Sequence, residues 1–127
     1  MPIYEEIFAE ETCELVPGGS ALNSARSAQH ILKGSGKHVA YLGCIGKDAF
    51  GDKLTKCLDD QGVVNKLAKS DDTATGTCAV TVKDKERALC ANIGASAKFP
   101  MEHLEANMVR KIVDFFSTLH FYIFFAN

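Results

Sequence analysis

The run Val39-Ala40-Tyr41-Leu42-Gly43-Cys44-Ile45 is continuous in apolar and strand-favouring residues and lies between Gly36 and Gly46. A strand with one wet face alternates polar and apolar residues, whereas an unbroken run suits a strand covered on both faces. The segments on either side supply such cover. Before the run, Leu22, Ala25, Ala28, Gln29, Ile31 and Leu32 recur at helical spacing, with Ser20 as the candidate N-cap and Gly34 and Gly36 closing the helix. After it, Phe50 to Gln61 reads as an amphipathic helix carrying Leu54, Cys57 and Leu58, with Asp48 as its cap, and Val63 to Lys66 begins a second strand.

Further along, Thr77 to Val82 and Arg87 to Ile93 alternate in polarity around the polar tip Lys83-Asp84-Lys85-Glu86. The pair is predicted to be a β-hairpin with one face buried and the other exposed. Residues 3 to 9 place Ile3, Ile7 and Phe8 on one helical face. Cys13 to Val16 reads as a short strand ended by Pro17-Gly18-Gly19. Pro100 starts a helix expected to reach about Phe116, and His120 to Phe125 a last strand. The expected class is α/β: a parallel sheet with flanking helices and a small antiparallel hairpin.

Charge and cysteine content narrow the function classes. A net charge of −2, with no basic cluster, gives no footprint for nucleic acid or anionic lipid. Phe121 to Ala126, the longest apolar run, is too short to span a membrane, and Met1-Pro2 with Glu5 and Glu6 is no signal-peptide start. A cytoplasmic location is the expectation. Cys13, Cys44, Cys57, Cys78 and Cys90 contain no closely spaced pair for zinc or redox work, so reduced, buried thiols are expected. His30, His38, His103 and His120 have no carboxylate or cysteine at ligand spacing, and no metal site is expected.

Three segments have the make-up of binding elements. In Pro17-Gly18-Gly19-Ser20-Ala21-Leu22-Asn23-Ser24, two glycines before a helix allow close approach of backbone to ligand, and the Asn23 amide offers donors and an acceptor suited to a vicinal diol. On spacing alone, a turn and N-cap with Asn23 simply exposed is the plainer account. Gly43 to Gly51 resembles a phosphate loop only superficially, because Tyr41 and Asp48 occupy places where a Walker A motif needs Gly and Ser or Thr. In the hairpin, Arg87 is placed to approach an anion, unless it is only a solvated charge. Leu89 and Ala91 share a face that could line an apolar pocket for a flat base.

Taken in order, GGSALNSA, LGCIGKDAFGDKL, TGTCAVTV and RALCANIGASAKF resemble the adenosine kinases of the ribokinase (PfkB) family over nearly all of residues 5 to 120. The resemblance implies a partial ribokinase-like domain over residues 1–127, with lid pieces near 12–18 and 75–96 and an α/β core near 20–66 and 100–127. It implies ribose contacts from Gly18, Gly19, Ser20 and Asn23. It also implies base or sugar contacts from Cys78, Leu89 and Ala91, and a phosphate contact from Arg87. Adenosine is the implied ligand, with ATP and magnesium used by the whole family enzyme but not expected to bind this chain well. The family's ribose-gripping Asp on a first strand and its Gly-Ala-Gly-Asp catalytic motif have no counterpart in these 127 residues. The chain alone is therefore expected to be inactive and prone to self-association through exposed sheet edges. The alternatives are a non-catalytic nucleoside-binding or interaction protein derived from the family, and a piece of a related sugar kinase.

Overall fold

A computed structural model of the chain describes residues 6, 7, 9, 10, 12–32 and 36–108. The continuous apolar run forms β1 (Ala40–Gly46), which pairs in parallel with β2 (Val64–Ser70) in the register Gly43↔Leu67 and Cys44↔Ala68. Between them runs α2 (Ala49–Asp60), so β1, α2 and β2 form a βαβ unit; α1 (Ser20–Ile31) precedes it. The antiparallel hairpin of β3 (Thr77–Lys83) and β4 (Glu86–Asn92) follows, then a 3-10 turn (Gly94–Lys98) and α3 (Met101–Met108).

Both faces of the parallel pair are covered, as its composition demands. On one face Leu22 of α1, Leu58 of α2 and Val63 are fully buried, and Tyr41, Leu54 and Leu67 pack against them. On the other, Cys44 and Ala68 meet Ala95 of the 3-10 turn and Phe99. Removing apolar area of this kind from water is the main stabilising term, so Leu58→Ala is expected to cost about 2–5 kcal/mol. Polar side chains complete the layer. Gln29, buried on α1, donates to the Gly36 carbonyl at 2.8 Å and accepts from the His38 and Val39 amides, both at 3.1 Å, which fixes the entry into β1. His103 bonds the Lys66 carbonyl through Nε2 at 2.9 Å and sets its ring edge-on to Phe99. His103 therefore has the structural role expected of it.

Several expectations are corrected. Ser20 is the first residue of α1 and not its cap. Gly19 holds the cap position at φ 104 and ψ 142, and no side chain caps the end. Ile31, read as part of the apolar stripe, is 81% exposed. Cys13 to Val16 forms no strand and is exposed, because the described residues give it no partner to pair with. β2 begins where expected and its end, which the sequence left open, is Ser70, since backbone pairing with β1 continues past its polar residues. Only Cys44 is buried; Cys57 and Cys90 are half-buried, and Cys13 and Cys78 are exposed.

The hairpin forms at the expected place, with Asp84 and Lys85 at φ 50 and 69 making a tight two-residue tip. Its apolar face is the open one, however. Val80, Val82 and Leu89 are 50%, 72% and 59% exposed, while Ala79 on the opposite face is buried. Glu6, Ile7 and Ala9 are helical, in keeping with the reading of residues 3 to 9. The rest of that segment, the continuation of α3 toward Phe116 and the strand at 120–125 lie outside the described residues.

Candidate functional site

The Gly18-Gly19 turn comes first because backbone conformation dictates it. Gly19 lies at φ 104, a region that residues with a Cβ seldom occupy, and its carbonyl accepts the Asn23 amide at 2.9 Å as the first bond of α1. A Cβ on Gly19 would meet nothing within 4 Å, so the glycine is needed for conformation and leaves open space above the turn. Gly18, Gly19, Ser20 and Asn23 are all exposed and adjacent there.

Arg26, which the sequence did not single out, ties this turn together. Its Nη1 donates to the Pro17 carbonyl at 3.3 Å and to Asn23 Oδ1 at 3.4 Å, while Nε donates to Gln61 Oε1 at 3.1 Å. The amide of Asn23 is thereby oriented with its oxygen toward Arg26 and its Nδ2 donors outward. Asn23, Arg26, Ser27, His30, Ile31 and Gln61 line an open depression of about 420 Å³ beside the turn. A basic residue three positions after Asn23 on the same helical face was the available signal, but Gln61 lies 35 residues further on and no local pattern links the two.

The second group sits on the hairpin. The register Cys78↔Ala91, Val80↔Leu89 and Val82↔Arg87 places all six side chains on one sheet face. Cys78, Leu89, Ala91 and Arg87 are thus brought together, as expected, on the exposed apolar side.

A third cluster is built around Asp48. Its Oδ1 accepts from the Gly51 amide at 2.9 Å and from the Thr75 hydroxyl at 2.7 Å, and its Oδ2 accepts from the Thr75 amide at 2.7 Å. The Thr75 hydroxyl in turn accepts from the Gly46 amide at 2.9 Å. Burial pushes the Asp48 carboxyl up, but the bonds from Thr75, Gly51 and Phe50 outweigh it and hold the group below its ordinary range. Asp48 therefore caps α2 as expected and also reaches the start of β3.

The loop from Gly43 to Gly51 is not built as a phosphate loop. The Gly46 and Gly51 amides that such a loop would turn toward a ligand are committed to the Thr75 hydroxyl and the Asp48 carboxylate. Among the described residues no group of three His, Cys, Asp or Glu side chains is gathered for a metal ion.

The comparisons agree with this architecture. The model of the pfkB family of carbohydrate kinases matches residues 3–122. Adenosine kinase of Dictyostelium discoideum is 35% identical over 123 residues, covering 97% of this chain and 35% of that protein. Adenosine kinase 1 of Arabidopsis thaliana is 36% identical over 105 residues, covering 83% of this chain and 30% of that one. The crystal structure of Anopheles gambiae adenosine kinase, in complex with P1,P4-di(adenosine-5) tetraphosphate, superposes with a TM-score of 0.79 at 35% identity, over 89% of this chain and 35% of that chain. Adenosine kinase from Schistosoma mansoni in complex with adenosine gives 0.77 at 26% identity, over 89% and 32%. The chain thus spans about a third of the length of the curated relatives it matches. In sequence and in fold it is adenosine kinase-like, and it belongs to the pfkB family of carbohydrate kinases.

Proposed function

We propose that this chain carries part of the nucleoside-binding side of an adenosine kinase, the ribose lying over the Gly18-Gly19 turn against Asn23. The observation that carries this is the turn itself. It joins a Gly19 conformation reserved for glycine and open space above it to an exposed Asn23 amide whose oxygen is engaged by Arg26. Two N–H donors facing a ribose match the acceptor lone pairs of its vicinal hydroxyls. Cys78, Leu89 and Ala91 supply the apolar face for the base, and Arg87, at the tip end of that face, approaches the 5′ side.

In the whole protein such a site would serve ATP-dependent phosphorylation of the adenosine 5′ hydroxyl, a reaction of purine salvage. The 127 residues alone form no AMP on this reading. Phosphoryl transfer needs an aligned base and positive groups or metal around the migrating phosphate, and Arg87 is the one residue here that the family resemblance offers for that set. Losing the others costs orders of magnitude in rate. Two experiments test the pair of statements. Adenosine added to isotopically labelled chain should shift the amide resonances of Gly18, Gly19, Ser20 and Asn23, and shifts confined to other regions would contradict the site. Incubation with adenosine, ATP and magnesium should yield no AMP above background, and ATP-dependent AMP formation would overturn the inactive reading.

A further inference from the structure

The hairpin is joined to the rest of the chain at a root where two backbone passages cross, Ala74-Thr75-Gly76 on the way in and Ile93-Gly94-Ala95 on the way out. The Ala95 amide donates to the Ala74 carbonyl at 2.8 Å, which closes the crossing. Glycine is required throughout for want of space. A Cβ on Gly94, which is at φ 54, would lie 2.5 Å from the Ala74 oxygen, and one on Gly76 would collide with the Ile93 carbonyl. Likewise, a Cβ on Gly46 would lie 2.6 Å from the Thr73 oxygen, and one on Gly51 would lie 2.6 Å from the Gly46 oxygen.

Asp48 and Thr75 occupy the centre of this packing. Thr75 is 5% exposed, and its amide and hydroxyl both donate to the Asp48 carboxylate, which is fixed in turn by the Gly51 amide at the start of α2. The Gly46 amide, at the end of β1, completes the set by donating to the Thr75 hydroxyl. One carboxylate and one hydroxyl therefore couple the end of β1, the start of α2 and the segment that leads into β3. Every polar atom in the group has a partner of opposite role, which makes the arrangement specific to one geometry.

Among the described residues, the hairpin beyond the root packs chiefly within itself, and its apolar face is exposed. The root is therefore the described contact that bears most on its direction. We propose that Asp48 is a positioning residue: with Thr75 it forms a rigid root that fixes the direction in which the β3–β4 hairpin leaves the parallel sheet. It thereby sets how Cys78, Leu89, Ala91 and Arg87 are presented. The consequence for nucleoside binding rests on the function proposed above, but the positioning itself does not. It can be read in the ligand-free chain.

The test is hairpin orientation, from residual dipolar couplings of the backbone amides of β3 and β4 relative to those of β1 and β2. Asp48→Asn keeps the size of the side chain but turns an NH2 group toward the Thr75 amide, setting donor against donor. The couplings of β3 and β4 should then no longer fit the native orientation, and hydrogen exchange at the Thr75 amide should accelerate about 10- to 100-fold, while Leu58 and Val63 keep their protection. Thr75→Ser, which retains the hydroxyl, should keep both native readouts. If Asp48→Asn fails to fold, Thr75→Val tests the same claim, because it removes the hydroxyl that joins Gly46 to Asp48. Native hairpin orientation in the folded variant would overturn the proposal. So would a uniform loss of protection that includes Leu58 and Val63, which would make the pair merely structural.

Discussion

Gly19 and Gly94 are both at positive φ, yet they are required for different reasons, and substitution separates them. Gly94 lies in the left-handed region with the Ala74 oxygen 2.5 Å from any added Cβ, so Gly94→Ala combines backbone strain with a clash. It should cost upwards of about 2 kcal/mol in urea unfolding. Gly19 has nothing within 4 Å, and Gly19→Ala should cost only the conformational part, about 1–2 kcal/mol. Equal costs would contradict the distinction. Thr55 presents the reverse case, with a buried Oγ1 that has no partner among the described residues. Thr55→Val removes that polar atom at nearly constant volume and should raise stability by up to about 1 kcal/mol, and a lower melting temperature would refute it. For Asp48 the sign follows from its depressed carboxyl. A group whose folded-state pKa lies below its unfolded value contributes stability that is present above the unfolded value, ordinarily 3.8, and is lost as pH falls through the folded one. Acid titration of the urea midpoint should therefore show a decline below that range that is shallower in Asp48→Asn. Parallel curves would assign the decline to other carboxylates.

At the scale of elements, what the sequence made legible is what short-range pattern encodes. The unbroken run at 39–45 announced a strand covered on both faces, and β1 lies between Leu22 and Leu58 on one side and Ala95 on the other. The helix after Asp48 and the hairpin with its polar tip were equally local in origin. Where elements depend on partners, the pattern says less. It showed where β2 begins but not its end, which runs on through Lys66 and Lys69 because β1 pairs with it, and it misread Cys13 to Val16, which has the composition of a strand and no neighbour among the described residues. The site divides in the same way. Gly18, Gly19 and Asn23 could be read from one turn's sequence, but Arg26 acts through Gln61, and Asp48 through Thr75, 27 residues away. Neither link leaves a periodic trace. The hairpin also defeated the rule that alternation buries the apolar face, since Val80, Val82 and Leu89 face outward.

For the whole molecule, that outward face bears on association with other copies. Among the described residues the parallel sheet has two strands, and we propose that its outer edges add to the same tendency. Concentration-dependent self-association is the expected behaviour, and Val82→Lys on the hairpin's open face should lower the weight-average mass in sedimentation equilibrium. An unchanged mass would move the association to the sheet edges. A nucleoside held at the turn and the hairpin would cover part of the hairpin's apolar face, and its binding would stabilise the fold by an amount that rises with the ratio of its concentration to its dissociation constant.

Calorimetric titration of adenosine into folded chain, with ribose and fructose as controls, tests the central claim most directly. The account predicts saturable heat with adenosine, little with either sugar, and at least a tenfold weaker association in Asn23→Ala, the equivalent of about 1.4 kcal/mol. A folded chain that gives no adenosine heat, or binds it equally well without the Asn23 amide, would contradict the claim that this turn holds the nucleoside.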